Sequence, residues 1–370
     1  MLTLVTLSLI LGATVLLLPW RPWSTTETLD ATPAPGSDLS DITVLIPARN
    51  EAGTIGQTLR ALHDQGRNLA IVLVDDQSDD GTAAVARAAG TDHLQIISGE
   101  PLPAGWSGKL WALEQGRRRV ATPLILLLDA DILLRPGLVA TLRAKSRRDG
   151  LQLVSLMAHL GMTGFWEKLL LPAFVYFFKL IYPFALANSA SGRVAAAAGG
   201  CILIDTAWLE RIGGFAALKT ALIDDCTLAR QIKDAGGRTW LGLTHSAISL
   251  RRYDLTAIWN MVARTAFTQL RYSVTLLLVC TALLVIYYLV PVIALAGDGW
   301  KQWALAFAAY LCGCLPYAPT LAYYRLHPLM AMSMPVIAIL YLMMTWTSAL
   351  RYFAGERSRW KGRSYTKNVT

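Results

Sequence analysis

The chain has 370 residues, of which 54% are hydrophobic and only 16% are charged, and its formal net charge is +9. This composition is too apolar for one soluble domain of that length, so it excludes an ordinary soluble enzyme and predicts membrane segments. The positive charge does not indicate nucleic-acid binding, because residues 351–370 alone hold six Lys or Arg and one Glu. A basic tail beside an apolar segment is typical of contact with anionic lipid.

The first apolar segment, residues 1–20, carries no charged side chain and is about long enough to cross a bilayer. No basic residue precedes it and no small-residue cleavage pattern follows it, so it predicts an uncleaved transmembrane anchor and not a signal peptide. Arg21 comes directly after it, and the positive-inside rule then puts the next domain in the cytoplasm. Residues 21–37 are rich in Pro, Thr and Ser and predict a linker.

Residues 38–252 alternate between short apolar runs and helical patterns, which predicts one α/β domain. The predicted strands are residues 43–46, 70–74, 94–97 and 124–128, and the predicted helices are residues 54–65, 82–89 and 110–120. This alternation is typical of a mostly parallel, Rossmann-like sheet, in which ligands bind at the carboxyl ends of the strands.

Polar side chains follow three of these strands, so we expect one site to collect them. They are Arg49, Asn50 and Glu51 after the first strand, Asp75 and Asp76 after the second, and Asp129 and Asp131 after the fourth. Two carboxylates one residue apart, as in Asp129 and Asp131, suit a hard divalent cation such as Mg²⁺ or Mn²⁺. Such a cation can neutralise a diphosphate as it leaves.

A second acidic pair, Asp224 and Asp225, can supply the base that deprotonates an attacking hydroxyl. Metal, diphosphate and base together predict transfer of a sugar from a nucleotide donor. Two alternatives stay open at this point. Asp75 and Asp76 could belong to a turn with a helix cap, and the Asp224 pair could be acidic residues that favour a helix N-terminus.

An apolar segment at residues 169–187 lies inside this domain and contains one charged residue, Lys179. It is long enough to span a bilayer, but a single crossing would place Asp131 and Asp225 on opposite sides of the membrane. We therefore expect an interfacial segment on the membrane surface, or one packed into the domain, whose aromatic residues offer a lipid acceptor a route to the site. An ordinary buried helix is the alternative.

Three further apolar segments, residues 274–297, 303–324 and 329–350, predict a C-terminal transmembrane bundle over residues 274–350. Three crossings would put the tail at residues 351–370 outside, yet its basic residues favour the inside. Either one segment is re-entrant or the tail crosses despite its charge, and the sequence leaves both open. Residues 253–273 predict an interfacial or gating segment that precedes the bundle.

Seven motifs in a fixed order give the domain a family resemblance. They are IPARNE at 46–51, VDDQSDDGT at 74–82, GKLWAL at 108–113, DAD at 129–131, GGC at 199–201, IGGF at 212–215 and IDD at 223–225. Residues 38–252 resemble a family 2 glycosyltransferase with a GT-A fold. The membrane layout, residues 222–226 and the tail at 360–365 are similar to bacterial hopene-associated glycosyltransferases, and more distantly to ceramide glucosyltransferases.

The resemblance implies a role for each candidate side chain, and it favours a UDP-sugar as donor. The implied nucleotide-sugar ligands are Pro47, Glu51, Asp75, Asp76, Lys109 and Asp129. Asp131 would bind the metal together with Asp129, and Lys109 would face the diphosphate. Asp225 would be the general base, with Asp224 beside it.

One motif departs from the pattern of many membrane-bound family members, which carry Gln or Arg, two spacers and Arg-Trp. Here Arg271 and Tyr272 stand in for Arg-Trp, and Gln269 lies one residue late. Arg271 could still stabilise the diphosphate and Tyr272 could stack on the acceptor. The departure puts processive polymerisation in doubt, and Arg271 could instead be a residue that snorkels to the membrane surface.

The expected function is that of an inverting glycosyltransferase of the bacterial inner membrane, which moves a sugar to a lipid hydroxyl in hopanoid or related glycolipid synthesis. A polyprenyl-phosphate acceptor is one alternative. A catalytically idle membrane scaffold is another, although retention of Asp75, Asp76, Asp129, Asp131 and Asp225 speaks against it, because a carboxylate cluster is costly to hold without a cation.

Overall fold

The computed structural model describes residues 1–219, 221–360 and 363–366, with side chains described as far as residue 355. The chain divides into two compact units. The sheet unit comprises Glu27–Gly161 and Leu186–Arg252, and the helical unit comprises Met1–Thr26, Met162–Ala185 and Tyr253–Thr370. The predicted linker at 21–37 is thus divided between the units. Lys361, Gly362 and Lys367 of the predicted tail lie outside the described residues.

Strands and helices alternate through the first half of the chain. The strands are β1 Ile42–Ala48, β2 Ala70–Asp75, β3 Leu94–Ser98, β4 Leu124–Leu128, β5 Ile132–Leu134, β6 Leu153–His159, β7 Cys201–Asp205, β8 Thr239–Ser249, β9 Glu356–Trp360 and β10 Arg363–Thr366. The first helices are α1 Leu2–Leu17, α2 Ile55–His63, α3 Thr82–Ala88, α4 Gly108–Arg117, α5 Leu138–Asp149, α6 Phe165–Ile181, α7 Phe184–Ala187, α8 Thr206–Arg211 and α9 Asp224–Asp234. The later helices are α10 Leu255–Gln269, α11 Val274–Leu284, α12 Val290–Ala294, α13 Trp300–Cys314, α14 Ala318–Tyr323 and α15 Met334–Phe353.

Eight of these strands form one sheet in the described part of the sheet unit, in the order β3-β2-β1-β4-β7-β6-β8-β5. β1 pairs in parallel with β2 and β4, β2 with β3, and β6 with β8. β7 is antiparallel to both of its neighbours, and β5 is antiparallel to β8. The sheet is therefore mixed, with β5 and β7 reversed against the other strands.

Side chains of the central strands alternate between two apolar cores. On β1, Val44 and Ile46 join one buried cluster while Leu45 joins the other. Leu126 of β4 joins the first cluster, and Leu127 joins the second. Successive residues of a strand point to opposite faces, so a sheet covered on both faces needs the continuous apolar runs that these strands have.

All four predicted strands are present, as β1 to β4, each within two residues of its expected limits. The strands from β5 onward were not predicted. β5 has only three residues and directly follows the DAD motif, and Gly242 interrupts the pattern of β8. The predicted strands therefore form the parallel half of the sheet, and the half that contains both reversed strands was not predicted.

Among the described residues of the helical unit, three helical stretches are long and apolar enough to cross a membrane: Val274–Ala294 with 21 residues, Trp300–Tyr323 with 24 and Pro328–Phe353 with 26. This confirms the three apolar segments predicted between residues 274 and 350. A π-helical turn at Val285–Leu289 precedes Pro291, and a 3-10 turn at Leu315–Tyr317 contains Pro316. Each irregularity accommodates a proline, which lacks the N–H that an α-helix requires at that point.

The predicted anchor at residues 1–20 is helical but shorter than expected. α1 has 16 residues, which corresponds to about 24 Å, against about 30 Å for the hydrocarbon core of a bilayer. α1 packs against α13, where a Cβ on Gly12 would lie 2.7 Å from the Cβ of Cys312. The Ser8 hydroxyl donates to the carbonyl oxygen of Tyr287 at 3.2 Å. α1 is thus an apolar helix packed on the C-terminal helices, and its length does not match a complete span.

The apolar segment predicted at 169–187 forms two helices, α6 and α7, with Pro183 between them. α6 lies in the helical unit. The Tyr341 hydroxyl donates to the carbonyl oxygen of Leu170 at 2.8 Å, and the rings of Tyr176 and Tyr317 lie 5.4 Å apart. α6 therefore packs on the C-terminal helices, a contact that was not predicted from the sequence.

Candidate active site

The loops after β1 and β2 hold each other through backbone contacts. The Arg49 guanidinium donates to the carbonyl oxygens of Asp76 at 2.6 Å and Gln77 at 3.3 Å. The backbone N–H of Glu51 donates to the hydroxyl of Thr82 at 2.8 Å. Arg49 of the IPARNE motif was expected among the polar side chains that one site collects, without a specific role. Its contacts show that it fixes the loop that carries the predicted nucleotide-binding carboxylates.

Asp75 and Asp76 lie at the carboxyl end of β2, as predicted. Asp75 is half-buried and accepts a hydrogen bond from the backbone N–H of Ser78 at 3.2 Å, whereas Asp76 is fully buried. The N-cap of α3 is Gly81, which makes no side-chain cap hydrogen bond, and the backbone N–H of Thr82 donates to Asp80 at 3.0 Å. Helix capping alone therefore does not account for the Asp75 pair.

Asp129 is held at the end of β4 by two neighbours. Lys109, at the start of α4, forms an ion pair with it, with 2.7 Å between Nζ and Oδ1. The reversed strand β7 pairs Cys201 with Leu128, so that the carbonyl oxygen of Gly200 accepts from the backbone N–H of Asp129 at 3.1 Å. This register brings the GGC motif to the DAD motif, which no local pattern in the sequence could indicate.

Asp224 and Asp225 form the first turn of α9. The backbone N–H groups of Cys226, at 2.7 Å, and of Gly199 donate to the Asp225 carboxylate. Burial, together with the negative charge of Asp224, raises the pKa of Asp225 to about 6. Burial lowers the pKa of Lys109, but Asp129, Asp224 and Asp225 raise it more, so Lys109 stays charged.

Gly199 lies between these groups. A Cβ at this position would lie 3.3 Å from Oδ2 of Asp225 and 3.4 Å from Nζ of Lys109. The absence of a side chain therefore keeps the space between the predicted base and the predicted diphosphate ligand open. Gly199 belongs to the GGC motif, but the motif alone did not predict this role.

One cavity of the sheet unit brings five predicted site residues together. Its polar lining includes Lys109, Asp129, Asp224 and Asp225, and Pro47 also lines it. The rest of the lining is largely apolar, with Leu127, Phe215 and Leu228 among its residues. Because the surround is apolar, the lysine and the three carboxylates interact more strongly with one another than they would in water.

A second group of charges lies around Asp131, which is 7% exposed. Leu250, just after β8, donates its backbone N–H to the carbonyl oxygen of Asp131 at 2.8 Å, which places the next residue beside the Asp131 carboxylate. That residue, Arg251, lies 3.1 Å from Asp131 and 3.5 Å from Glu51. Arg251 was not among the predicted site residues, because its place beside Asp131 depends on the long-range pairing of β8.

The carboxylates fit a divalent cation of the kind that a nucleotide-sugar brings with it. Among the described residues no three His, Cys, Asp or Glu side chains form a metal-binding group. Mg²⁺ is commonly bound by one or two carboxylates together with substrate phosphates, and not by an all-protein cage. Asp129 and Asp131 provide two such carboxylates, one of them next to Lys109.

Gln269, Arg271 and Tyr272 belong to the helical unit. The amide oxygen of Gln269 accepts from the Tyr182 hydroxyl at 2.6 Å. Tyr272 stacks on Tyr352 with 4.5 Å between ring centroids, while Arg271 is exposed with a left-handed backbone at φ +52°. Gln269 and Tyr272 thus already have protein partners, and their expected contact with the diphosphate or acceptor stays a prediction.

Comparison with known proteins identifies the family and the fold of the chain. The family model of glycosyltransferase-like family 2 matches residues 40–268. Over 102 residues the chain is 35% identical to the 4,4'-diaponeurosporenoate glycosyltransferase of Staphylococcus aureus, a match that spans 27% of either protein. The structure is similar to a mannosyltransferase from Pyrobaculum calidifontis in complex with GDP-Man and Mn²⁺, with a TM-score of 0.53 and 17% identity over 94% of this chain and 99% of that one.

The family match covers more than half of the chain, and the chain belongs to glycosyltransferase-like family 2. The predicted class, a glycosyltransferase with a GT-A fold, is thereby confirmed. The similarity to the mannosyltransferase from Pyrobaculum calidifontis concerns the fold alone at this identity. The expected likeness to hopene-associated enzymes is not tested by these matches and stays a prediction.

Proposed function

We propose that this chain transfers a sugar from a nucleotide-sugar to a membrane lipid hydroxyl with inversion at the anomeric carbon. The observation that carries this proposal is the cavity that Lys109, Asp129 and Asp225 share. It brings together a lysine that could face a diphosphate, a carboxylate that could bind a metal and a carboxylate of raised pKa, the groups that displacement of a nucleoside diphosphate calls for.

Donor binding is assigned to the loops after β1, β2 and β4. Asp75 and Asp76 would accept from the base and the ribose hydroxyls, in a pocket that Pro47 and Glu51 also line. Lys109 would oppose the negative charge of the diphosphate as a point charge. A divalent cation at Asp129 and Asp131 would supply further positive charge to the leaving diphosphate.

In the transfer step, Asp225 takes the proton of the acceptor hydroxyl. The acceptor oxygen attacks the anomeric carbon, and the bond from that carbon to the diphosphate oxygen breaks with its electron pair on the nucleoside diphosphate. A carboxylate with a pKa of about 6 is a better proton acceptor than an ordinary aspartate and is still ionised at neutral pH. The two N–H donors to Asp225 orient it for this task.

A lipid acceptor is favoured by the helical unit, whose three span-length helices would hold the chain at a membrane. Large apolar side chains such as Leu278, Ile293 and Phe307 are exposed on these helices, as lipid-facing residues are. The carotenoid-related name of the staphylococcal relative agrees with an apolar acceptor. A hopanoid-type alcohol at the inner leaflet of a bacterial inner membrane is our specific proposal, and a polyprenyl phosphate is the alternative.

The proposal is tested by comparing lipid extracts of cells that carry the chain with extracts of cells that carry Asp225→Asn. We expect a glycolipid that is present only with the unchanged chain, because Asn has no basic oxygen to accept the proton. Asp224→Asn serves as the matched variant and should retain the glycolipid. If Asp224→Asn is inactive and Asp225→Asn is active, the base is Asp224. If only a soluble glycan disappears, the acceptor is not a lipid.

A further inference from the structure

Arg251 places a permanent positive charge where the divalent cation is proposed to bind. Its Nε lies 3.1 Å from Oδ2 of Asp131, and its terminal nitrogen lies 3.5 Å from Oε1 of Glu51. The hydrogen bond from Leu250 to the Asp131 backbone holds the two chain segments in this register. The end of β8 thus delivers a guanidinium to two carboxylates from different loops.

The carboxylates need such a charge when no cation is bound. Asp131 is nearly buried, and its side chain is only 10% exposed. Asp129 and Glu51 lie near enough to add repulsion to this burial. An ionised carboxylate in a buried setting is costly unless it is paired, and an arginine is charged at every physiological pH.

We propose that Arg251 is a built-in counter-cation that competes with the divalent metal for Asp131. The inference rests on the proposed metal site at Asp129 and Asp131. Arg251 shares its single positive charge between Asp131 and Glu51, and a metal gains the Oδ2 atom of Asp131 as a ligand when the guanidinium withdraws. Arg251 is therefore a positioning residue that weakens metal binding in the absence of donor.

The exposure of Arg251 makes this exchange feasible. Its side chain is 43% exposed, so withdrawal returns the guanidinium to water and not to an apolar interior. Partly exposed ion pairs are weak, whereas a cation of twice the charge, bound to Asp129 as well, gains more from the same carboxylate. The nucleotide diphosphate adds further ligands to the metal, which would favour metal over arginine once the donor is present.

A purely structural role for Arg251 predicts the opposite sign. If the arginine mainly keeps Asp131 in place, its removal disorders a ligand and weakens metal binding. If it competes, its removal strengthens metal binding. The change in Mn²⁺ affinity upon removal of the charge therefore distinguishes the two roles without any measurement of turnover.

The experiment measures Mn²⁺ binding to the full-length protein in detergent, without nucleotide, by electron paramagnetic resonance of the free ion. The variants are Arg251→Gln and, as matched control, Arg252→Gln, which removes the same charge one residue away. We expect Arg251→Gln to bind Mn²⁺ about tenfold more tightly than the unchanged protein, and Arg252→Gln to stay within about twofold. The gain should disappear in Arg251→Gln combined with Asp131→Asn.

Equal or weaker Mn²⁺ binding in Arg251→Gln would overturn the inference and leave the metal site itself intact, provided that the unchanged protein binds the ion. Absence of binding in every variant would overturn the metal site and the inference together. If Arg251→Gln does not fold, Arg251→Lys keeps the charge but loses the forked contact with two carboxylates, and it should bind Mn²⁺ more tightly than the unchanged protein by a smaller factor. No gain in that variant would count against competition.

Discussion

Asp225 has to be ionised at neutral pH and yet basic enough to take a proton from a hydroxyl. Its pKa of about 6, raised by burial and by the charge of Asp224, meets both needs. We expect kcat/KM to rise with pH through about 6 and then to level off, because only the ionised carboxylate accepts the proton. The raised pKa also means that the folded chain binds this proton more tightly than the unfolded chain does. The stability that protonated Asp225 contributes at low pH is therefore lost as the pH rises through about 6.

The pH profile of Asp224→Asn gives the control for this assignment. Removal of the negative neighbour leaves burial as the main cause of the shift, so the acidic limb of kcat/KM should move to lower pH while activity is retained. An unchanged limb would mean that the titrating group is not Asp225.

Gly199 and Gly200 form a matched pair for a second test at the residue scale. Alanine at Gly199 places a methyl group 3.3 Å from the Asp225 carboxylate and 3.4 Å from Lys109, closer than most such contacts. Alanine at Gly200 meets Ile132 at 3.5 Å, an ordinary van der Waals distance. We expect Gly199→Ala to lower kcat at least about tenfold, since small misplacements of reacting groups are costly, and Gly200→Ala to keep most activity. Equal activity of both variants would contradict the role given to Gly199.

At the scale of elements, the sequence predicted the features that show a local pattern and did not predict those that depend on contacts between distant parts of the chain. β1, β2, β3 and β4 follow from continuous apolar runs, and the carboxylates at their ends follow from the rule for parallel sheets. The reversed strand β7 was missed because its pairing with β4 joins Cys201 to Leu128, a contact between distant parts of the chain. The contact of Arg251 with Asp131 depends in the same way on β8. Long-range registers of this kind leave no periodic signal in the sequence.

The close approach of α1 to α13 is testable because Gly12 leaves no room for a side chain. A Cβ there would lie 2.7 Å from that of Cys312, so Gly12→Val should separate the helices at a cost of about 1–3 kcal/mol, as overpacking does. We expect a lower midpoint of thermal denaturation in detergent. Ile10→Val, at a side chain that is 56% exposed, is the control and should change the midpoint little. A midpoint unchanged by Gly12→Val would show that α1 does not depend on this contact.

At the scale of the whole molecule, the chain combines a GT-A sheet unit with a helical unit that contains three span-length helices. The composition of the sequence predicted this combination, and the seven motifs predicted the family. The length of α1, the packing of α6 and the orientation of the chain in a membrane depend on contacts or surroundings that composition does not encode. The predicted conflict between three crossings and a basic tail therefore stays open.

We expect the activity of the whole protein to require a divalent metal ion. Loss of a charge that stabilises the leaving diphosphate should cost about 10²-fold or more in turnover. EDTA should therefore inactivate the protein and Mn²⁺ or Mg²⁺ should restore it, whereas Asp131→Asn should stay inactive with either ion. Full activity in EDTA would show that Lys109 and its neighbours suffice without a metal.

The most direct test of the account is an assay of the purified protein with sugar-labelled UDP- and GDP-sugars, Mn²⁺ and total membrane lipid. The measurement compares the nucleoside diphosphate released with the label recovered in the lipid phase. We predict that one donor yields equal amounts of both, and that Asp225→Asn yields neither while it still binds the donor. Label that appears only in a water-soluble product, or transfer that persists in Asp225→Asn, would contradict transfer to a lipid by this site.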